Sequence, residues 1–232
     1  MARIALSQAF VVAILANDEG GNVSDENAVI KLNEIAAEVR VCTKCELSRT
    51  RTHAVPGEGN PNAKIMLIGE GPGFHEDQEG KPFVGASGKF LSELLGYADL
   101  TRDDVFITNV VKCRPPGNRD PLPDEIAACS NYLERQIEAI DPEVIVTLGR
   151  FSMSRWFAGE RISKIHGQPR KVGERLIVPM FHPAAALHQG SIRPQIEDDF
   201  RKLPKIVAEA ERERAEQAKA NDEPEPTQMT FF

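Results

Sequence analysis

The stretch KIMLIGEGPGFHED, Lys64 to Asp77, is an apolar run that breaks into three glycines at alternate positions. The run reads as a strand buried on both faces, as in a parallel sheet. The loop after it resembles a nucleotide site only at first glance. A dinucleotide fingerprint needs G-x-G-x-x-G running into a helix, with an acid about 20 residues further on. Here the spacing is G-x-G-x-G, Pro72 interrupts it, and Glu76 and Asp77 follow where a pyrophosphate would meet repulsion. What the glycines do supply is close backbone approach to a flat ligand.

Three further runs share the near-continuous hydrophobicity of Lys64–Ile68. They are Val105–Val111, Val144–Leu148 and Leu176–Phe181. Helical spacing predicts helices over 27–40, with Val29, Leu32, Ile35, Ala36 and Val39 inward, and over about 87–97, 123–140, 150–158 and 194–217. Strands alternating with helices predict a three-layer αβα sandwich around a central, mainly parallel four-stranded sheet. No internal repeat is visible. The polar stretch 17–27 reads as a linker, and 1–27 as a flexible N-terminal extension. The domain is placed at 28–207, and 208–232 as an acidic tail that cannot bury much.

Glu70 falls just past the first strand, Asn109 near the end of the second, and His182 directly after the fourth. In an open parallel sheet, ligands bind beyond the carboxyl ends of the strands. Geometry alone therefore groups these three.

The 232 residues carry a net charge of −7, which argues at first against nucleic acid. The excess acid lies at the ends, because residues 42–207 hold 22 acids and 22 bases. A neutral core can still present a basic face, so nucleic acid is permitted but not indicated. No run reaches the roughly 20 apolar residues of a membrane span. Ile4–Ala16 is short and lacks a clear cleavage pattern, so it reads as a short helix rather than a signal peptide. A cytoplasmic monomer is expected.

Cys42, Cys45, Cys113 and Cys129 are the only cysteines. A C-x-x-C pair plus two others makes a complete four-thiolate set, accepted by zinc or by a [4Fe–4S] cluster. The wide, irregular spacing leans towards iron–sulfur without deciding it.

The chain closely resembles the family 4 uracil-DNA glycosylases, the iron–sulfur branch of their superfamily, over about 38–207. The resemblance rests on the C-x-x-C pair, GEGPG with its trailing Glu76-Asp77, and KPFVGASGKFL at 81–91. TNVVKCRPPGNRDP at 108–121, Cys129 and HPAAAL at 182–187 complete it. It implies a three-layer fold, a structural [4Fe–4S] cluster on the four cysteines, and excision of uracil from single- or double-stranded DNA. Uracil must first be flipped out of the stack. Phe83 resembles the aromatic that stacks on uracil, Asn109 the residue that reads its edge, and His182 the donor to O2. The Glu70, Gly71 and Pro72 turn would grip the base. A superfamily aspartate that orients water has Gly71 at its position here; either Glu70 orients the water instead, or the DNA phosphates carry much of the cation stabilisation. Glu76 is the candidate for excluding the thymine methyl group. Ser87 is a candidate phosphate contact, and Ala186 or Leu187 a candidate wedge for the vacated stack.

Two alternatives are carried. One branch of the superfamily traps uracil covalently through a histidine in a basic loop, and this chain has His166 in Ser163-Lys164-Ile165-His166-Gly167. The other is a non-catalytic iron–sulfur DNA-binding protein. Finally, Gln228-Met229-Thr230-Phe231-Phe232 resembles the short peptide by which bacterial repair proteins bind the sliding clamp, with Gln228, Phe231 and Phe232 as anchors.

Overall fold

The computed structural model describes residues 23–222. Six strands form one sheet: β1 (Glu58–Gly59), β2 (Ile65–Gly69), β3 (Val105–Asn109), β4 (Val144–Leu148), β5 (Arg170–Val172) and β6 (Arg175–Met180). Their order is β1-β3-β2-β4-β6-β5. The middle four, β3-β2-β4-β6, are parallel, and β1 and β5 add antiparallel edges. The four expected strands are these four. The two edge strands are new, and at two and three residues they are too short for a readable pattern.

Alternation along each strand divides the core into two layers. On one face Ile65, Leu67, Val105, Ile107, Val146 and Val178 meet α3 (Ala86–Gly96), α7 (Pro183–His188) and α8 (Arg193–Asp222). On the other, Met66, Ile68, Phe106, Ile145 and Ile177 meet α1 (Val23–Val41), α4 (Pro123–Ile140), α5 (Arg150–Ser154) and α6 (Ile162–Ile165). The result is the expected three-layer sandwich. Among the described residues no helix is long and apolar enough to cross a membrane.

Three readings change. Helix α1 begins at Val23, inside the stretch read as linker. Its inward face uses Ala28, Ile35 and Val39, while Val29 is exposed. Helix α8 continues through Asp222, past the end set for the domain. Its extension is held by buried Ala210 and by ion pairs from Glu211 to Lys64, Glu213 to Lys171 and Arg214 to Asp141. Residues 208–222 therefore continue the folded helix rather than begin a tail. The 228–232 peptide lies outside the described residues.

The parallel register pairs Gly69 with Asn109 and Leu148 with Met180, so the four carboxyl ends lie level. After β2 the chain crosses to α3 on one face, and after β3 to α4 on the other. That divergence opens a crevice where β2 and β3 end.

Candidate active site

A cleft of about 570 Å³ occupies this crevice. Glu70, Gly71, Pro72, Glu76, Phe83, Ser87, Asn109 and His182 all line it. Eight residues chosen from sequence thus meet around one cavity, although they span more than 110 positions.

Asn109 closes β3 and is 2% exposed. Its Oδ1 is buried and has no hydrogen-bond partner. An orphaned buried acceptor costs about 1–3 kcal/mol, which a ligand N–H would recover. Gly69 makes the arrangement possible. A Cβ there would come within 2.3 Å of Asn109 Oδ1 and 2.8 Å of the Phe83 ring.

His182 is the N-cap of α7, and its Nδ1 accepts from the Ala184 amide at 3.1 Å. The ring proton therefore belongs on Nε2. Its ring stacks on that of Phe83, centroids 5.5 Å apart and 25° from parallel. Gly149 backs it, since a Cβ at that position would approach His182 Cβ to 3.2 Å. Burial drives the imidazole pKa down to about 4, with the Glu76 carboxylate pulling weakly upward, so the ring is neutral at ordinary pH.

Phe83 is buried in the left-handed region, φ 53°. Such a conformation persists in a bulky residue only when its surroundings over-determine it. Here three groups do so. Glu76 Oε1 accepts from the Val84 and Gly85 amides at 2.9 and 2.8 Å, and Oε2 from Gly73 at 3.1 Å. Arg102 donates to the Phe83 and Pro82 carbonyls at 3.1 and 2.8 Å. Gly88 leaves room for the Phe83 carbonyl, which a Cβ there would approach to 1.8 Å. The Glu76 carboxylate is thus committed to three backbone amides. Its evident work is to brace the Phe83 loop, not to present a free group against a methyl.

Glu70 is half-buried; its carbonyl accepts from the Val111 amide at 3.1 Å, while its carboxylate accepts no hydrogen bond from the described residues. Burial raises its pKa above the ordinary carboxylate value, nearby Asp120 adds to the rise, and Arg150 opposes it. Arg150 in turn is ion-paired with Asp120. Gly71 packs against Val111, where a Cβ would meet Cγ2 at 2.7 Å. Of the wedge candidates, Ala186 is 8% exposed and packed into the core, whereas Leu187 is 50% exposed. Of the two, only Leu187 presents a largely exposed side chain. His166 is absent from the cleft wall. Its Nδ1 lies 2.5 Å from Asp199 Oδ2 and its ring packs on Phe181, which leaves it poorly placed for covalent trapping.

Sequence reasoning did not single out Pro115, Asn118, Arg119, Asp120, Ala184, Ala185 or His188, which also line the cleft. The signal was available in the RPPGNRDP segment. Gly117 and Asn118 both adopt positive φ, 63° and 55°, and this turn folds the segment over the cavity.

Behind the cleft the four cysteines line one small apolar cavity with Arg51, Lys112 and Tyr132. Arg51 Nη1 lies 3.1 Å from Cys113 Sγ, the Lys112 amide 3.3 Å from Cys129 Sγ, and the Lys44 amide 3.5 Å from Cys42 Sγ. Among the described residues no group of three or more His, Cys, Asp or Glu is arranged to hold a single ion. Four thiols around one void, with N–H donors aimed at three of them, are a donor set that a thiolate-bound metal group accepts.

Residues 56–203 match the model of the Uracil DNA glycosylase superfamily. The chain belongs to that superfamily. It is 53% identical over 187 residues to the type-4 uracil-DNA glycosylase of Saccharolobus solfataricus, covering 76% of this chain and 87% of that protein. The type-4 enzyme of Thermotoga maritima is 44% identical over 183 residues, 76% of this chain and 95% of the relative. A DNA polymerase of Bacillus phage SP01 is also similar, 34% identical over 153 residues, which are 66% of this chain but 16% of the polymerase. The matched residues 56–203 contain the whole cleft, from β2 to α7.

Proposed function

We propose that this chain is a uracil-DNA glycosylase that flips uracil from DNA into the cleft and hydrolyses its N-glycosidic bond, leaving an abasic strand. The observation that carries the reading is the orphaned Oδ1 of Asn109 facing the same cleft as a tautomer-fixed His182. Uracil N3–H satisfies Oδ1, while the amide NH2 donates to O4. Cytosine presents the opposite pattern and leaves both unpaired, which is the strong kind of discrimination.

Phe83 stacks on the base. As the bond breaks, negative charge grows on the uracil ring, and His182 Nε2–H donates to O2. A preorganised donor of this kind is worth about 3–4 kcal/mol. A neutral imidazole does this without a buried charge. Glu70, with its raised pKa and vacant carboxylate, orients the attacking water. Ser87 meets a phosphate and Leu187 fills the emptied stack.

Cys42, Cys45, Cys113 and Cys129 hold a [4Fe–4S] cluster, whose part is to tie α1 and α4 to the end of β3. Protein purified anaerobically would contain about four irons per chain; stoichiometric zinc without iron, from cells supplied with iron, would refute the assignment.

The deciding test incubates the protein with single-stranded uracil-DNA, then alkali. Cleavage at uracil and not at cytosine or thymine supports the glycosylase. Binding without cleavage supports a non-catalytic reader. A denaturant-stable protein–DNA adduct, lost in His166→Ala, would favour covalent trapping instead.

The Gln228–Phe232 peptide is a sliding-clamp contact in this reading, with Gln228 as hydrogen-bonding anchor and Phe231 and Phe232 in an apolar cleft. A tethered clamp raises the effective concentration of DNA near the catalytic domain. Titrating the 220–232 peptide against a clamp, with Phe231→Ala/Phe232→Ala as control, tests it. Binding that is absent, or equal in the control, removes the idea.

A further inference from the structure

Phe74 is the first residue of α2 (Phe74–Glu79) and is 52% exposed. Its neighbour Gly73 lines the cleft. The Arg114 guanidinium lies over the Phe74 ring, 5.1 Å from its centroid. Arg114 is held there by Nε, which donates to Asn118 Oδ1 at 2.7 Å, and both Asn118 and Pro115 line the cleft. His75 meets the ring edge-on at 5.5 Å. The exposed remainder of Phe74 is therefore chiefly the face opposite Arg114.

The charges around this ring differ from those nearby. Arg119 is bound to Glu125, and Arg150 to Asp120. Arg114 has no carboxylate partner among the described residues, so its charge stays available at the rim. An exposed aromatic face beside an uncommitted guanidinium matches the chemistry of single-stranded nucleic acid: a base for the ring and a phosphate for the cation. Leu187, 50% exposed, lies on α7 between the cleft-lining residues Ala185 and His188.

We infer that Phe74 and Arg114 form a stacking platform for the base next to the flipped uracil on the same strand, with Arg114 neutralising the adjoining phosphate. This rests on the glycosylase reading and deepens it. In single-stranded DNA no partner strand holds the neighbouring base once uracil leaves the stack. Phe74 takes that base from one side while Leu187 enters from the other. The chain thereby gains affinity for a strand that offers no duplex geometry.

The test uses the full-length protein and a single-stranded oligonucleotide carrying 2-aminopurine beside a 2′-fluorinated deoxyuridine that resists cleavage. Phe74→Ala should weaken binding by roughly tenfold, within the range for losing one stacked base, and should abolish quenching of the 2-aminopurine. Phe74→Trp should retain both. Arg114→Gln should lower the slope of log affinity against log salt by about 0.7, as for one phosphate contact on a single strand. Tyr97→Ala is the control: Tyr97 is another surface aromatic under an arginine, Arg201, but at the opposite end of α3 from Ser87. Its substitution should change neither reading. Phe74→Ala binding within twofold of wild type, with quenching intact, would overturn the platform. Failure of the glycosylase reading shows separately, as wild-type protein that quenches 2-aminopurine but leaves a cleavable uracil strand intact.

Discussion

The Ala184 amide donates to His182 Nδ1 at 3.1 Å, and this single bond decides which proton the histidine can give. With Nδ1 occupied as an acceptor, Nε2 carries the hydrogen, on a ring whose residue lines the cleft. The bond comes from the N-cap geometry of α7, with Pro183 at the first helical position. The strand-to-helix junction itself therefore builds the donor that the proposed reaction uses.

A neutral donor has a distinct pH signature. Burial disfavours the imidazolium and lowers the pKa to about 4, so protonation occurs only well below the ordinary value of 6.5. The single-turnover rate should show no inflection near pH 6.5 that depends on His182. His182→Ala should lower that rate by about 10²–10³ and DNA affinity far less. A His182-dependent limb near pH 6.5, or equal losses of rate and affinity, would contradict the assigned role. The same shift acts on stability. The unfolded chain binds the proton more readily, so this group's contribution is intact above 6.5 and is lost as pH falls towards 4.

Glu70 gives the complementary limb. Its pKa is raised, so the carboxylate gains its proton at higher pH than an ordinary glutamate as the solution is acidified. The rate should fall on that limb, and Glu70→Gln should lower the plateau and remove the limb. A limb that persists in Glu70→Gln belongs to another group.

The sheet was legible because β2, β3, β4 and β6 are buried almost throughout and carry no charged residue in their interiors. Strand ends were legible for the same reason, which brought Glu70, Asn109 and His182 together on paper. The bracing of Phe83 was not. It depends on one left-handed residue and on amides at 73, 84 and 85 meeting a single carboxylate, and periodicity carries no trace of such contacts. Nor was Asp120 visible as a neighbour of Glu70, because the turn at Gly117 and Asn118 decides where it falls.

That bracing makes Glu76 and Gly88 sensitive at a distance from the chemistry. Glu76→Gln puts an NH2 where one oxygen accepts backbone N–H bonds, and bonds to charged groups contribute about 1.5–3 kcal/mol each. Glu76→Gln should lower thermal stability and, by releasing Phe83, lower the rate. Gly88→Ala forces the Phe83 carbonyl to move and should do the same without altering any polar group. A Gly88→Ala variant with wild-type rate would show that the left-handed Phe83 conformation is not needed.

Lys112 is 1% exposed. Its three N–H groups meet Thr108 Oγ1, Asn109 O and Gln136 Oε1 at 2.5, 2.8 and 2.6 Å, so every donor is used. Its own amide faces Cys129 Sγ. The side chain thus pins the backbone of Asn109 to α4, beside the cysteine cavity. Lys112→Met conserves much of the volume but leaves buried acceptors without donors. A buried acceptor left unpaired typically costs about 1–3 kcal/mol. Denaturant unfolding should show a loss of that order. The partner substitution Gln136→Leu should cost less when added to Lys112→Met than when made alone, because one orphaned acceptor disappears with it. Strict additivity of the two losses would mean that Lys112 and Gln136 do not act together. If the network also aims Asn109, the Lys112→Met protein should lose discrimination between uracil and cytosine while its iron content stays that of the wild type.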